Sequence, residues 1–144
     1  MTDSINIVCP HCQAVNRIVS QRLGDHPICG KCKAKLFGSK PQDLDKVGFD
    51  RNLANNDIPL VVDFWASWCG PCKVMMPAFT QAAAELEPYA RLVRLNTELE
   101  QEVAGRYAIR AIPTMIMFKG GKELQRESGA MTAKHIIDWV QSAI

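Results

Sequence analysis

Six cysteines stand in three pairs, Cys9/Cys12, Cys29/Cys32 and Cys69/Cys72, each with two residues between its members. That spacing supports two chemistries. Two thiolates held close together can share a metal ion, or they can open and close a disulfide with a partner. The surroundings of each pair decide between them.

The first two pairs, Cys9-Pro10-His11-Cys12 and Cys29-Gly30-Lys31-Cys32, are sixteen residues apart. This falls within the range for a zinc site built from two knuckles, in which four thiolates form a closed, structural tetrahedron. A second argument agrees. Residues 1–40 offer only scattered apolar side chains, among them Ile7, Val15, Ile18, Val19, Leu23, Ile28, Leu36 and Phe37, too few for a core unless a metal or disulfides assist. Cys-Pro-His-Cys is also the active pair in a family of strong disulfide oxidants. Here no buried strand precedes it and no long helix follows, so one structural Zn2+ on Cys9, Cys12, Cys29 and Cys32 is the expectation. His11 and His26 could replace a cysteine as ligands, but with four thiolates at hand they are read as surface residues.

The third pair sits in "VDFWASWCGPCK", Val62 to Lys73. Cys69 falls between a strand-like run and a helical pattern, where free backbone N–H groups and the helix dipole favour a thiolate. Cys72 is about one helical turn further on, so its sulfur can reach a mixed disulfide formed at Cys69. Gly70 and Pro71 suit the join, since proline is favoured in a first helical turn. Asp63 is the odd residue in an apolar strand. Buried, it is either a carboxyl with a raised pKa that can handle protons, or it ends at a water or a cap.

The elements that must position these residues are legible from periodicity. "DKVGFDRNLANN" reads as a short helix with Val47, Phe49 and Leu53 inward, and "PLVVDFW" as a strand buried on both faces. Met75, Phe79, Ala82, Ala83 and Leu86 form one helical stripe, interrupted in sequence by Pro77, where a kink is expected. "RLVRLN" is a second strand, parallel to the first through a right-handed crossover. A short helix around Glu100 to Tyr107 follows. "TMIMF" and "ELQRES" form an antiparallel hairpin through Gly120 and Gly121. Thr132 caps a last helix with Ala133, Ile136, Ile137, Val140 and Ile144 inward. "FGSKPQDLD", Phe37 to Asp45, reads as a linker, which divides the chain into residues 1–39 and 40–144. The fold class is α/β, a mixed central sheet flanked by helices, with a small zinc-ribbon-like domain in front.

From about residue 45 onward the chain resembles the thioredoxin family. The residues that carry this are Asp63, Trp65, Trp68, Cys69, Gly70, Pro71, Cys72 and Lys73, then Pro77, then Ile112, Pro113 and Thr114, then Gly121 and Gly129. The resemblance implies a thioredoxin fold and a protein-disulfide reductase in which Cys69 attacks, Cys72 resolves and Asp63 handles protons for Cys72. It implies that Trp68, Gly70, Pro71, Ile112 and Pro113 form the surface that docks substrate, with Pro113 cis. The family often carries a lysine near the buried carboxylate; here that position is Arg94, whose charge is harder to lose. With the cysteine-rich extension, the pattern resembles the bacterial thioredoxin 2 branch. That implies a cytoplasmic electron carrier recharged by an NADPH-dependent thioredoxin reductase, with a link to oxidative stress.

Composition sets bounds on the alternatives. The opening segment has neither a basic n-region nor an apolar h-region, and no run of about 18 apolar residues could span a bilayer, so export and membrane insertion are not expected. The net charge is +2, with six Lys/Arg against two Asp/Glu in residues 1–40 and eleven against thirteen in the rest. The zinc thiolates would halve the N-terminal excess, so nucleic acid is not an expected partner. A monomer is expected. Two other readings stand beside the reductase: a nucleic-acid or protein binding module on a redox scaffold, and a holdase switched by zinc loss.

Overall fold

The computed structural model describes residues 3–144. Two sheets organise them. The first is a hairpin of β1 (Ser4–Val8) and β2 (Val15–Val19), followed by a single 3-10 turn at Ser20–Arg22. The second has five strands in the order β3, β5, β4, β6, β7: β3 (Gln42–Asp43), β4 (Leu60–Trp65), β5 (Arg91–Asn96), β6 (Thr114–Lys119) and β7 (Lys122–Ser128). β3, β5 and β4 run parallel, and β6 and β7 complete the sheet antiparallel. Its helices are α1 (Lys46–Asn55), α2 (Gly70–Leu86), α3 (Gln101–Arg106) and α4 (Ala133–Gln141).

Strand alternation distributes the apolar side chains to two layers. Val61, Leu92, Met115 and Met117 pack under α2 and α4, against Met75, Phe79, Ala82, Ala83, Leu86, Ile136 and Val140. Leu60, Val62, Phe64, Val93, Leu95, Ile116 and Phe118 face the other way, onto Phe49 of α1 and Val103 of α3. Both faces of β4 are therefore covered, which is why its sequence reads as a continuous apolar run. Asp63 shares the α2 side with Val61, two residues nearer the end of the strand from which Cys69 departs. At the β6–β7 turn Gly120 and Gly121 have φ of 59° and 79°, as a tight hairpin requires. Pro77 lies inside α2 without ending it.

Three expectations need correction. The segment read as a linker contains β3, which pairs with Val93 and Arg94 of β5 and supplies partners to an otherwise open edge. Two residues are too few to show a period. Val47 is 73% exposed, because it lies two positions from Phe49 and so nearly opposite it on α1. Ile144 is 54% exposed, since α4 ends at Gln141.

The N-terminal unit is seated at the end of the sheet where β4 and β5 begin, the end away from Cys69. Arg91, the first residue of β5, is 1% exposed. Its guanidinium donates to the carbonyls of Val8 (3.2 Å) and Leu36 (2.8 Å) and to Glu87 Oε2 (3.2 Å), and stacks 4.5 Å from the Phe37 ring. Asn56 Oδ1 accepts from Val8 N (2.8 Å), and Asp57 and Asn6 exchange two further bonds. Ile58, just before β4, joins the small core of Ile7, Leu23 and Leu36. The unit thus borrows apolar cover from the main sheet that its own sequence lacks.

Candidate active site and cysteine cluster

Chain direction places Cys69. β4 ends at Trp65, Ala66 is buried, and Cys69 is the capping residue of α2, its Sγ accepting the Cys72 N–H at 3.2 Å. Cys69 and Cys72 are joined as a disulfide, with Cα atoms 5.3 Å apart. Cys72 is fully buried and Cys69 is 4% exposed. Of the two residues, only Cys69 retains any exposure.

The other expected docking residues gather around it. Cys69 Sγ lies 3.8 Å from the Ile112 carbonyl oxygen, and the Ile112–Pro113 peptide is cis. Pro113 is buried, its carbonyl accepting from Gly129 N (2.8 Å), which fastens the loop after β7 behind it. Trp68 is 71% exposed, Gly70 and Pro71 are exposed, and a Cβ built at Gly70 would meet nothing within 4 Å. Ser67 donates from N and Oγ to Glu98 Oε1 (2.7 and 2.6 Å), tying the loop before Cys69 to the one after β5.

Asp63 is fully buried, and neither carboxyl oxygen has a hydrogen-bond partner among the described residues. Arg94, its neighbour in the β4–β5 ladder, brings Nε to 3.7 Å from Oδ2, an ion-pair distance beyond hydrogen-bond range. Burial pushes the carboxyl up to about 7, against the opposing pull of Arg94. No protein group among the described residues caps Asp63, and a carboxyl so raised could exchange a proton near neutrality.

The outer cysteines form two matching knuckles. In each, the first cysteine's N–H donates to a carbonyl five residues on, and the residue after the second cysteine, Gln13 or Lys33, has φ 66°. Backbone N–H groups of His11 and Cys12 point at Cys9 Sγ (3.4 and 3.5 Å), and those of Lys31 and Cys32 at Cys29 Sγ (3.4 and 3.5 Å). All four sulfurs lie within 4.8 Å of one another, with the Cys9–Cys32 and Cys12–Cys29 pairs 3.6 Å apart. A tetrahedral zinc with bonds of about 2.3 Å requires sulfurs about 3.8 Å apart, so the donor set fits. The Cys32 backbone N–H and then the Asn16 amide hold the Cys29 thiol down at about 5. His11 and His26 are exposed and stand outside the cluster.

Sequence reasoning missed Asn16, which donates to Cys29 Sγ (3.4 Å) and accepts from Gly30 N (2.8 Å). It also missed Arg91 and Glu87, the buried pair beneath the cluster. An arginine opening an apolar strand was the available signal. Burial lifts the Glu87 carboxyl above its usual range and lowers Arg91. No helix among the described residues is long and apolar enough to cross a membrane.

Residues 40–142 match the family model described as Thioredoxin, and residues 8–34 match the one described as Thioredoxin 2, N-terminal. The chain is 35% identical over 138 residues to thioredoxin C-3 of Corynebacterium nephridii, covering 96% of this chain and 94% of that one. It is 32% identical over 102 residues to the thioredoxin of Rickettsia typhi, covering 71% and 97%. Among solved structures, a mutant thioredoxin from Halobacterium salinarum superposes with a TM-score of 0.67 at 24% identity, covering 74% of this chain and 93% of that one, a likeness of fold. Chloroplastic thioredoxin z gives 0.66 at 25%, covering 72% and 94%.

Proposed function

The chain belongs to the thioredoxin family of protein-disulfide oxidoreductases, and from that membership we propose that it reduces protein disulfides through Cys69 and Cys72, with a structural zinc in residues 1–39 and the exchange chemistry in residues 40–144. The observation that carries this reading is the Cys69–Cys72 disulfide at the start of α2, Cys69 slightly exposed next to the exposed Trp68 and Cys72 fully buried.

In the reduced protein the Cys69 thiolate attacks one sulfur of the target disulfide. The target S–S bond breaks, a mixed disulfide forms and one target sulfur leaves as thiolate, to be protonated. Asp63 takes the thiol proton of Cys72. The Cys72 thiolate then attacks Cys69 Sγ, closing the internal disulfide and releasing the second target sulfur; two electrons have passed to the target. Trp68, Gly70, Pro71, Ile112 and Pro113 dock the target segment. Regeneration falls to an NADPH-dependent thioredoxin reductase, and the protein works as a monomeric cytoplasmic electron carrier with a part in the oxidative-stress response.

One Zn2+ per chain, held by Cys9, Cys12, Cys29 and Cys32, would supply cross-linking and charge neutralisation to a unit with little core of its own. The same four sulfurs leave no position for a substrate.

Insulin-disulfide reduction with NADPH and thioredoxin reductase tests this division. Cys69→Ser is expected to abolish turnover with zinc retained, and Cys9→Ser/Cys12→Ser to lose zinc yet keep reducing insulin. An active Cys69→Ser protein, or a dead N-terminal variant that remains folded, overturns it.

A further inference from the structure

Among the described residues, five buried polar atoms without partners belong to three neighbouring residues of β4 and β5: both oxygens of Asp63, Nε and one terminal nitrogen of Arg94, and Nε1 of Trp65. Arg94 is 9% exposed and lies 4.3 Å from the Trp65 ring, which fixes the plane of its guanidinium. That guanidinium is shared. On its inner side Nε is 3.7 Å from Asp63 Oδ2, and on its outer side the other terminal nitrogen is 3.7 Å from Oδ1 of Asp43, whose side chain is 78% exposed. Asp43 is held there by β3, which pairs Asp43 with Arg94 and whose following residue, Leu44, donates to the Arg94 carbonyl (2.9 Å). A groove of about 430 Å³ is lined by Asp43 and Trp65, so Asp43 stands at a solvent-filled surface.

A cation between two carboxylates favours each less than it would favour one alone. We propose that Asp43 is a positioning residue for the exchange reaction: it draws Arg94 toward the surface, offsets its charge, and so sets how readily Asp63 takes and returns the Cys72 proton. The assignment rests on the proton-handling role of Asp63 proposed above. The other groups around Asp63 do not supply this control. Met115 of β6, opposite it in the ladder, is uncharged, α4 turns Ile136 and Val140 inward, and α2 contributes the Cys69–Cys72 pair itself.

The test follows the Asp63 carboxyl carbon by NMR in the oxidised protein, where neither active cysteine titrates, between about pH 5 and 10. Asp43→Asn is expected to lower the midpoint by about half a pH unit, Asp43→Glu to restore it, and Asp43→Asn in an Arg94→Met background to shift it less. A midpoint that stays or rises in Asp43→Asn, or an equal shift without Arg94, overturns the assignment. Insulin reduction against pH separates this from the parent reading. If Asp63→Asn keeps the wild-type profile, the proton-handling role fails. If Asp63→Asn flattens the profile and Asp43→Asn leaves the carboxyl midpoint in place, the role stands and Asp43 has no part in it.

Discussion

Replacing Asp63 by Asn should stabilise the oxidised protein, and by an amount that depends on pH. Asp63 is fully buried, and its carboxyl is raised from 3.8 to about 7 by that burial. Below the unfolded value both folded and unfolded chains hold the proton, and the difference in pKa costs nothing. As pH rises through the interval the unfolded chain releases its proton while the folded protein keeps it, so wild-type stability falls until the folded carboxyl also ionises. Each pH unit of difference is worth about 1.4 kcal/mol, so the interval amounts to about 4 kcal/mol at pH 8. Asn carries no such penalty, but it leaves Arg94 with Asp43 alone, so a net gain of about 2–4 kcal/mol is expected at pH 8, shrinking toward zero near pH 4. Urea unfolding of both proteins, followed by tryptophan fluorescence across this range, measures the difference directly. A gain that does not change with pH, or a loss at pH 8, refutes the reasoning.

Arg91→Met should cost about 3–5 kcal/mol, because it strands the buried Glu87 and two carbonyls, while adding Glu87→Gln should recover part of the loss; guanidinium unfolding of the two variants gives the comparison. Zinc should be present at about one ion per chain, and its removal by a chelator should unfold the β1–β2 hairpin and expose Arg91, seen as lost amide protection in residues 4–19 with the five-stranded sheet retained. Cys72→Ser should accumulate a covalent adduct with oxidised insulin at Cys69, visible on a non-reducing gel, since the resolving sulfur is gone. Trp68→Ala should raise KM for insulin several-fold, leave a small aromatic disulfide unaffected, and change thermal stability little, because Trp68 is 71% exposed.

Where one period or one spacing holds over many residues, the sequence alone was sufficient. The inward stripe of α2 follows from the helical repeat, and the β4 strand from its continuous apolar run. The two cysteine knuckles and the pair between a buried strand and a helix were legible because metal binding and thiolate activation each demand a local arrangement. Asp63 was visible as a carboxylate out of place, although its two readings could not be separated. Tertiary structure decided the rest, because long-range contacts leave no periodic trace in the chain. β3 is an edge strand of two residues defined only by the β5 hydrogen bonds it completes, and it turns Asp43 from a linker residue into a neighbour of Arg94. Arg91 became a buried cation only when Val8 and Leu36, distant in sequence, closed around it beside its near neighbour Glu87. Val47 was lost from the core because the sheet admits only the Phe49 side of α1. Local physics named the candidate groups, and the fold set the charges that surround them.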